Sequence, residues 1–375
     1  TRVDASQLIE KGRENLLLYS NDFAGNWLRY NATNTSGQSG YDGSNDATLV
    51  AATGTFSRTY QDVSSSGVFT GSVYVKAGTA PWVLLRIQGT NNNQLYVSLS
   101  NGSYVVSGGD IISQKVESVG NGWYRVQLSV NTSLVTFNVY PALNNADLET
   151  SNETIYIQDA QLELGLVATP YIETGATSAQ AGILENTPRF DYSGGATCPS
   201  LLLEPSRTNL VKSTEYISNN VYGWSLAGSV LPTLTSGIIS PSGEATAYNV
   251  NDFNASGTRL DYATGTVAAS AGTYTYSAYY KGSGSINITL NTTTGGGSFG
   301  IEKTITLTSE WVRQDVTHTF TAADTGNIRI HAAITRTANN NASVDIAFAQ
   351  IEAGSYKTSY IPTYGVSQTR AGELA

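Results

Sequence analysis

Short runs of alternating apolar and polar residues recur along the chain. Val68 to Val75, Leu95 to Leu99 and Tyr124 to Val130 each place apolar side chains at about every second position. This period predicts half-buried β-strands, because successive side chains of a strand point to opposite faces. Clusters rich in Gly, Asn and Ser separate the runs and predict turns. The pattern indicates an all-β protein that forms a sandwich or a barrel from many short strands.

The second half of the chain repeats the first half. Gln161-Leu162-Glu163 returns as Gln350-Ile351-Glu352, and each triplet is followed at the same distance by a Tyr-Ile pair. Self-similarity over this length is the sign of a duplicated structural unit. Further landmarks recur in the same order: Asn15 with Asn209, Trp27 with Trp224, and Trp123 with Trp311. We expect these paired tryptophans to fill the core of each copy.

The repeat divides the chain into two domains of one fold. We place the first copy at residues 15–175 and the second at 209–366. Residues 1–14 are interpreted as an N-terminal connector segment, and 367–375 as the start of a further connector. Residues 176–208 are too apolar for a flexible linker, so we expect an ordered connector containing a short β-hairpin.

The charge balance excludes two kinds of interaction. The 375 residues include 20 basic and 29 acidic side chains, which gives a net charge of -9. Nucleic-acid binding is not expected, since phosphate contacts need clustered Lys and Arg. Membrane insertion through a helix is not expected either, since no apolar run approaches the roughly 20 residues that a membrane helix needs.

The residues that usually carry catalysis are scarce. Cys198 is the one cysteine, and His318 and His331 are the only histidines. They cannot supply a disulfide, a thiolate cluster or a three-histidine zinc site. Glu163 and Glu352 lie in separate copies, whereas glycoside hydrolysis needs two carboxylates across one cleft. The sequence therefore predicts a protein that is not an enzyme and has no organic cofactor.

The connector carries a resemblance to a known group of proteins. The sequence Arg189-Phe190-Asp191-Tyr192, with Leu202 to Leu210 after it, resembles a connector in bacteriophage and prophage virion proteins. The opening residues Asn15 to Phe23 look like the start of the domain that follows such a connector, which is similar to the jelly-roll carbohydrate-binding modules. The resemblance covers nearly the whole chain. It implies two tandem antiparallel jelly-roll β-sandwiches joined by an ordered connector.

The same resemblance implies a place and a role. The chain would belong to a tail fibre, collar or head decoration on the virion surface, in contact with other virion proteins. It would form a homo-oligomer, with trimers usual for such fibres, and act as a non-catalytic structural protein or adhesin that binds host cell-surface polysaccharide. Two alternatives stay open: a purely structural spacer or decoration domain without a ligand, or the ancillary region of a phage polysaccharide depolymerase.

Candidate binding residues are aromatic and polar side chains on predicted strands. Trp82 has no partner in the second copy, and an exposed indole is a flat apolar surface on which a sugar ring can stack. The residues expected to accompany it in the first copy are Arg86, Tyr96 and Tyr104. The second copy offers candidates of the same chemical kind: Arg259, Tyr262, Tyr280 and His331.

The strand-closing motif has a structural interpretation. Each of the pairs Gln161/Glu163 and Gln350/Glu352 is expected to close the last strand of its copy by hydrogen bonds to the following segment. Asp159 precedes the first of these pairs, and related sandwich modules often hold a structural calcium through an aspartate at that point. The resemblance thus makes Asp159 a candidate calcium ligand, confined to the first copy because Phe348 is its counterpart.

Overall fold

The protein folds entirely as strands and turns over the part of the chain that the structure describes. This structure is a computed structural model, and it describes residues 1–148, 151–184, 187–252, 257–263, 271–294, 297–321, 330–336 and 342–373. No helix occurs in those ranges, and hence none that is long and apolar enough to cross a membrane. The predicted all-β class is confirmed.

The chain forms two compact units. One is Gly12–Ala181, which we call the first sandwich. The other combines Thr1–Lys11 with Gly182–Ala375, and we call it the second sandwich. The N-terminal segment therefore folds with the later domain. Its two short strands are β1 (Arg2–Val3) and β2 (Ile9–Glu10), which pair antiparallel.

The first sandwich contains twelve described strands. They are β3 (Arg13–Asn15), β4 (Leu28–Tyr30), β5 (Ala32–Gln38), β6 (Ala47–Ala52), β7 (Arg58–Ala77), β8 (Trp82–Gln88), β9 (Asn92–Ser98), β10 (Tyr104–Ser107), β11 (Ile111–Gly120), β12 (Trp123–Ala142), β13 (Thr154–Leu164) and β14 (Ala179–Ala181).

Two long strands run through both layers of the first sandwich. β7 and β12 have 20 residues each and pair antiparallel, with a register shift between Ser133 and Val135. Beyond this shift, toward Ala77, β7 pairs with β13, and the facing half of β12 pairs with β11. In the remaining halves of the two strands, on the other side of the register shift, β7 pairs with β4 and β12 pairs with β8. Gly67 lies beside the shift with φ of 139°, a conformation that suits glycine, and a bulge there lets both strands bend.

The core lies between these two layers. Val73 and Val126 point inward from one layer, and Val83, Ile87 and Phe137 point inward from the other. All five are fully buried, as the alternation of apolar residues along their strands predicts. The burial of such β-branched and aromatic side chains is the main stabilising contribution to a sandwich of this kind.

The second sandwich repeats the arrangement with shorter strands. They are β15 (Arg189–Asp191), β16 (Ser200–Leu202), β17 (Arg207–Asn209), β18 (Trp224–Ala227), β19 (Thr233–Ile238), β20 (Ala247–Asn251), β21 (Arg259–Ala263), β22 (Gly272–Ser283), β23 (Ser285–Thr294), β24 (Gly297–Thr306), β25 (Val312–Phe320), β26 (Ile330–Arg336), β27 (Ser343–Ala353) and β28 (Gln368–Arg370).

Its main strands form two five-stranded sheets. One has the order β18-β21-β26-β23-β24 and the other the order β19-β20-β27-β22-β25. β21 and β22 take the places of the two halves of β7, while β25 and β26 take those of β12. The predicted tandem jelly-roll sandwiches are thus present, and in the described part of the connector β15 and β16 pair as a hairpin.

The paired tryptophans differ in burial. Trp27 packs with Phe23 and Phe137 in the first core, and Trp224 packs edge-on against Tyr262 in the second. Trp123 is also buried. Trp311 is only partly buried and lies at the edge of a small apolar cluster, so the expectation of a core role does not extend to it.

The repeated Gln/Glu motif forms the same hydrogen-bond network in both copies. Glu163 accepts hydrogen bonds from the Thr169 backbone N–H at 2.8 Å, the Thr169 hydroxyl at 2.7 Å and Gln161 at 2.6 Å. Gln161 Oε1 accepts the Ile172 N–H at 2.7 Å. The second copy repeats these contacts with Gln350, Glu352, Thr358 and Ile361. These bonds satisfy a buried carboxylate and hold the segment after the last strand.

The N-terminal segment is held to the second sandwich by a buried lysine. The side chain of Lys11 is 0% exposed, and its ammonium lies 2.8 Å from Glu215 Oε1 and 2.7 Å from Glu244 Oε2. Lys11 also lies above the ring of Phe348, at 5.3 Å from its centroid. Ile9 contributes to the apolar cluster beside it.

Candidate functional site

One sheet face of the first sandwich collects aromatic and polar side chains. Val83, Leu85 and Ile87 of β8 enter the core, so Leu84 and Arg86 point to the opposite side of the layer. The register places neighbours beside them: Leu84 lies opposite Tyr96 and Tyr140, and Arg86 lies opposite Gln94 and Asn138. We call this side the outer face. Its principal residues are Tyr30, Arg58, Tyr60, Trp82, Leu84, Arg86, Gln94, Tyr96, Asn138 and Tyr140.

An apolar cluster forms one end of the outer face. Leu84, Tyr96 and Tyr140 are buried together with Ala142, and Leu148 of the segment after β12 packs onto them. Trp82 packs against this cluster and stays partly exposed. The indole therefore lies at the border between a packed patch and solvent.

Two arginines lie beside this cluster. The Arg86 guanidinium is 4.7 Å from the centroid of the Tyr140 ring, and Arg58 is 5.7 Å from the same ring. Arg58 also lies 4.7 Å from the ring of Tyr30 and 5.0 Å from that of Tyr60. Contacts at these distances hold a guanidinium over an aromatic ring by cation–π attraction.

The electrostatics of the pair follow from burial and from like charge. Burial is the main cause that lowers the pKa of Arg86, and the nearby Arg58 adds to it. Burial raises the pKa of Tyr140, and the two arginines oppose that shift. The Nε atoms of Arg58 and Arg86 are buried and have no hydrogen-bond partner in the described structure.

The rest of the outer face is more open. Tyr30 is 47% exposed on the edge strand β4, beside Arg58. Asp62 accepts a hydrogen bond from Thr136 at 2.6 Å further along the same face. The face thus combines an exposed ring with cationic and hydrogen-bonding groups, which is the chemistry that suits stacking of a sugar ring and contact with its hydroxyls.

The structure brings together three of the four candidates in the first copy. Trp82, Arg86 and Tyr96 share the outer face. Tyr104 does not, because it lies opposite Val97, whose side chain enters the core. Sequence reasoning missed Arg58 and the tyrosines at 30, 60 and 140, which come from other strands. The alternation Arg58-Thr59-Tyr60 and Asn138-Val139-Tyr140 was the available signal.

Two candidates in the second copy lie in its interior. Tyr262 is fully buried; its hydroxyl donates to the carbonyl of Leu210 and accepts the N–H of Lys212, both at 2.9 Å. Tyr280 is buried with its hydroxyl 2.7 Å from that of Tyr276. Burial raises the pKa of both Tyr262 and Tyr280. Neither ring is available at the surface, so the expected ligand contact is replaced by a packing role.

The other two candidates have different outcomes. Arg259 lies on the equivalent outer side, but its Nε is 2.6 Å from Asp261 Oδ2, so its charge is already paired. His331 lies in β26 opposite Ala263 and Asn291, and its side chain is outside the described residues. The register gives this side of the second sandwich short polar residues where the first has aromatic ones: Asp261, Asn287, Thr289, Thr304 and Thr335.

Asp159 lies in a strained but hydrogen-bonded position. Its φ is 53°, in the left-handed region, and its carboxylate accepts a hydrogen bond from the Tyr41 hydroxyl at 2.9 Å. Burial raises its pKa to about 7. No group of three or more His, Cys, Asp or Glu that could hold a metal ion occurs within the described ranges. Calcium at Asp159 therefore remains a prediction.

A cavity of about 540 Å³ lies within the second sandwich, at the connector. Leu201, Leu203 and Pro362 contribute apolar walls, and Arg189 and Arg370 contribute cationic ones. Both cations are already paired, Arg189 with Glu204 and Glu373, and Arg370 with Glu204 at 3.0 Å. The outer face of the first sandwich is the stronger candidate, because its arginines have no such partners.

Comparisons with known proteins give distant structural similarity. No protein-family model and no curated protein sequence matches the chain. The CBM22-1–CBM22-2 tandem domain of Paenibacillus barcinonensis Xyn10C is similar at 13% identity, with a TM-score of 0.32, over 91% of this chain and 98% of that one. A structure described as "CBM4 structure and function" is similar at 12% identity, with a TM-score of 0.30, over 39% of this chain and 97% of that one.

Enzymes also occur among the similar structures. An exo-beta-1,3-galactanase from Phanerochaete chrysosporium is similar at 10% identity, with a TM-score of 0.25, over 88% of this chain and 69% of that one. All these similarities are distant, so the function has to be argued from the side chains of this protein.

Proposed function

We propose that this chain is a non-catalytic carbohydrate-binding protein whose first sandwich binds a saccharide chain on its outer face. The observation that carries the proposal is the collection of Tyr30, Trp82 and the two arginines on one side of a single layer. Aromatic faces stack on the apolar side of sugar rings, while guanidinium and amide groups bond to hydroxyls. The second sandwich, with short polar residues on the equivalent side, contributes little binding.

The proposed setting is the surface of a virion. The connector that resembles those of phage proteins supports a tail fibre, collar or head decoration, with host cell-surface polysaccharide as the ligand. Homo-oligomerisation, as a trimer, and contact with other virion proteins complete the proposal. A shallow face of this kind is expected to bind with a Kd of roughly 0.1–1 mM, or about 4–5.5 kcal/mol. Several copies in one particle would raise the effective affinity by about 10²–10⁴.

A matched pair of variants tests the binding face. Tyr30 is 47% exposed on the outer face, and Tyr104 is 46% exposed in the same layer but on the opposite side. Tyr30→Ala should weaken retention of the full chain in polysaccharide gels and reduce its adsorption to host cells. Tyr104→Ala should leave both unchanged, and thermal melts should show that both variants fold.

The result also decides between the proposal and its alternatives. Equal retention of the two variants would contradict a role for the outer face. A blank glycan array for the wild-type chain would favour a structural spacer. Release of oligosaccharide from host capsule would show that the chain is catalytic.

A further inference from the structure

We propose that the outer face of the first sandwich selects acidic saccharides, with Arg58 and Arg86 binding a carboxylate of the sugar. This inference rests on the proposed function and names the class of ligand. It comes from the state of the two arginines, whose charges have no carboxylate partner in the described part of the protein.

The contrast with other arginines of the same chain supports the inference. Arg2 lies 2.7 Å from Glu10, Arg189 lies 2.9 Å from Glu204, and Arg259 lies 2.6 Å from Asp261. The protein is acidic, with 29 carboxylate side chains against 20 cations. Arg125 and Arg313 also have no carboxylate partner, but each of them donates hydrogen bonds to a hydroxyl and to a carbonyl. Arg58 and Arg86 differ in having neither a carboxylate nor a close hydrogen-bond acceptor among the described residues.

The guanidinium of Arg86 is partly buried and uses little of its donor capacity. No hydrogen bond from it to a described residue is found, and Arg58 donates only a long one, at 3.5 Å, to the carbonyl of Phe56. A guanidinium has five N–H donors, and of these only the Nε–H of each arginine is buried without a partner, so the terminal N–H groups are open to a ligand. A carboxylate would accept two of them at once, in the bidentate geometry that suits this pair of groups.

The two arginines are placed to act on one group. Arg58 is on β7 and Arg86 is on β8, and β12 runs between these strands with Tyr140 between the two guanidiniums. Neighbouring strands are about 4.8 Å apart, so both long side chains reach the space above β12. Their mutual repulsion is a cost that an anion between them would relieve.

The aromatic residues around the arginines fit a sugar better than a small free anion. Tyr30 lies opposite Arg58 on the neighbouring edge strand β4, and Trp82 lies on the same strand as Arg86, four positions along it. A saccharide chain with a carboxylate on one ring can therefore stack on aromatic groups while the arginines hold its charge. A free anion would gain nothing from these rings.

The experiment compares acidic polysaccharides with their own neutral derivatives. Polygalacturonate, alginate and hyaluronate are each tested beside the polymer whose carboxylates have been reduced to alcohols, using the full chain in affinity electrophoresis. We expect the acidic form of at least one pair to bind about tenfold more tightly than its reduced form at about 50 mM salt. The difference should shrink at about 500 mM salt, because screening weakens charge pairing.

Variants identify the residues. Arg58→Gln and Arg86→Gln should each remove most of the preference for the acidic form. Binding of the reduced form should weaken much less, because it loses only hydroxyl contacts, which the glutamine amide can partly replace. Arg86→Lys keeps the charge without the bidentate geometry and should keep part of the preference. Partial retention would show that the loss in Arg86→Gln comes from the missing charge and not from a folding defect. Arg259→Gln, in the second sandwich, is the matched control and should change nothing.

The outcomes separate this inference from the proposed function. Equal binding of acidic and reduced polymers, or binding of neutral polymers alone, would overturn the acidic preference and leave carbohydrate binding intact. An equal loss of both forms in the arginine variants would also overturn it. If no polymer of either kind binds and the glycan array is blank, both the inference and the proposed function fail.

Discussion

The buried lysine of the N-terminal segment leads to a sharp prediction about stability. Lys11 precedes the first sandwich in sequence, but its ammonium is enclosed in the second sandwich between Glu215 and Glu244. Lys11→Met should therefore destabilise the second sandwich and leave the first unchanged. If the N-terminal segment were attached only loosely at the surface, the substitution would leave the stability of both sandwiches unchanged.

The structure sets the magnitude. Glu215 is 1% exposed at its side chain, and its Oε2 has no hydrogen-bond partner in the described residues. Removing Lys11 leaves this carboxylate buried with only the Tyr360 hydroxyl, at 3.2 Å, and the longer contact of Tyr364 near its Oε1. Breaking a buried pair in this way costs about 3–5 kcal/mol. For a unit of this size, about 2–4 °C per kcal/mol corresponds to a fall in Tm of roughly 6–20 °C.

The assay is calorimetry that resolves the two sandwiches. Lys11→Met should lower the Tm of the second sandwich and leave that of the first unchanged. Combining Lys11→Met with Glu215→Gln should recover most of the lost stability, because a neutral amide needs no counter-charge. Lys115→Met is the control, since its contact with Glu117 is also 2.8 Å but both side chains are more than half exposed, and such a pair is worth about 0–1 kcal/mol. A loss below about 1 kcal/mol for Lys11→Met, or a loss in the first sandwich, would refute the reasoning.

Other predictions concern the paired motif and Asp159. Thr169→Val removes a hydroxyl that donates to the buried Glu163, and it should lower the unfolding free energy of the first sandwich by about 1–3 kcal/mol. Thr358→Val should have the same effect on the second sandwich. A calorimetric loss of stability in the other sandwich would contradict the prediction for that variant. Asp159 has its pKa raised from 3.8 to about 7, so the folded state holds a proton more tightly and the unfolding free energy should fall as pH rises across that window. Asp159→Asn keeps a residue that tolerates positive φ and should flatten this decline in melts between pH 4 and 8, whereas an unchanged slope would contradict the prediction. The same two proteins test the calcium hypothesis: added calcium should raise the Tm of the wild type and not that of Asp159→Asn.

The repeat and the fold class could be predicted because they depend on local patterns. The alternation in Val68 to Val75 needs only a period of two, and that stretch lies in β7. The full length of β7 could not be predicted in this way, because Ser64 to Gly67 resembles a turn in sequence. Those small residues instead allow the strand to bend and continue into the second layer.

The candidate site was predicted only in part, because it depends on strand neighbours and on which side of a strand faces the core. Trp82 and Arg86 share a side through their even spacing on one strand. Tyr140 joins them through the register of β12 with β8, which no local pattern specifies. The prediction for Tyr262 was wrong because a tyrosine is compatible with either the core side or the solvent side of a strand. Its hydroxyl finds buried hydrogen-bond partners in the backbone of Leu210 and Lys212.

The composition of the second sandwich from two separate stretches has a consequence for biosynthesis. Lys11 and Glu215 are 204 residues apart in sequence, so the first stretch leaves the ribosome long before its partner surface exists. The intervening first sandwich can complete its own folding in that interval, since domains fold as units in order of synthesis. Once folded, it also brings the two stretches closer than a random chain of that length would, which lowers the entropic cost of closing the contact. Until then Ile9 and Lys11 lack their partner surface, and if a second copy of the chain offers that surface first, they would dock onto it and exchange segments between the two chains.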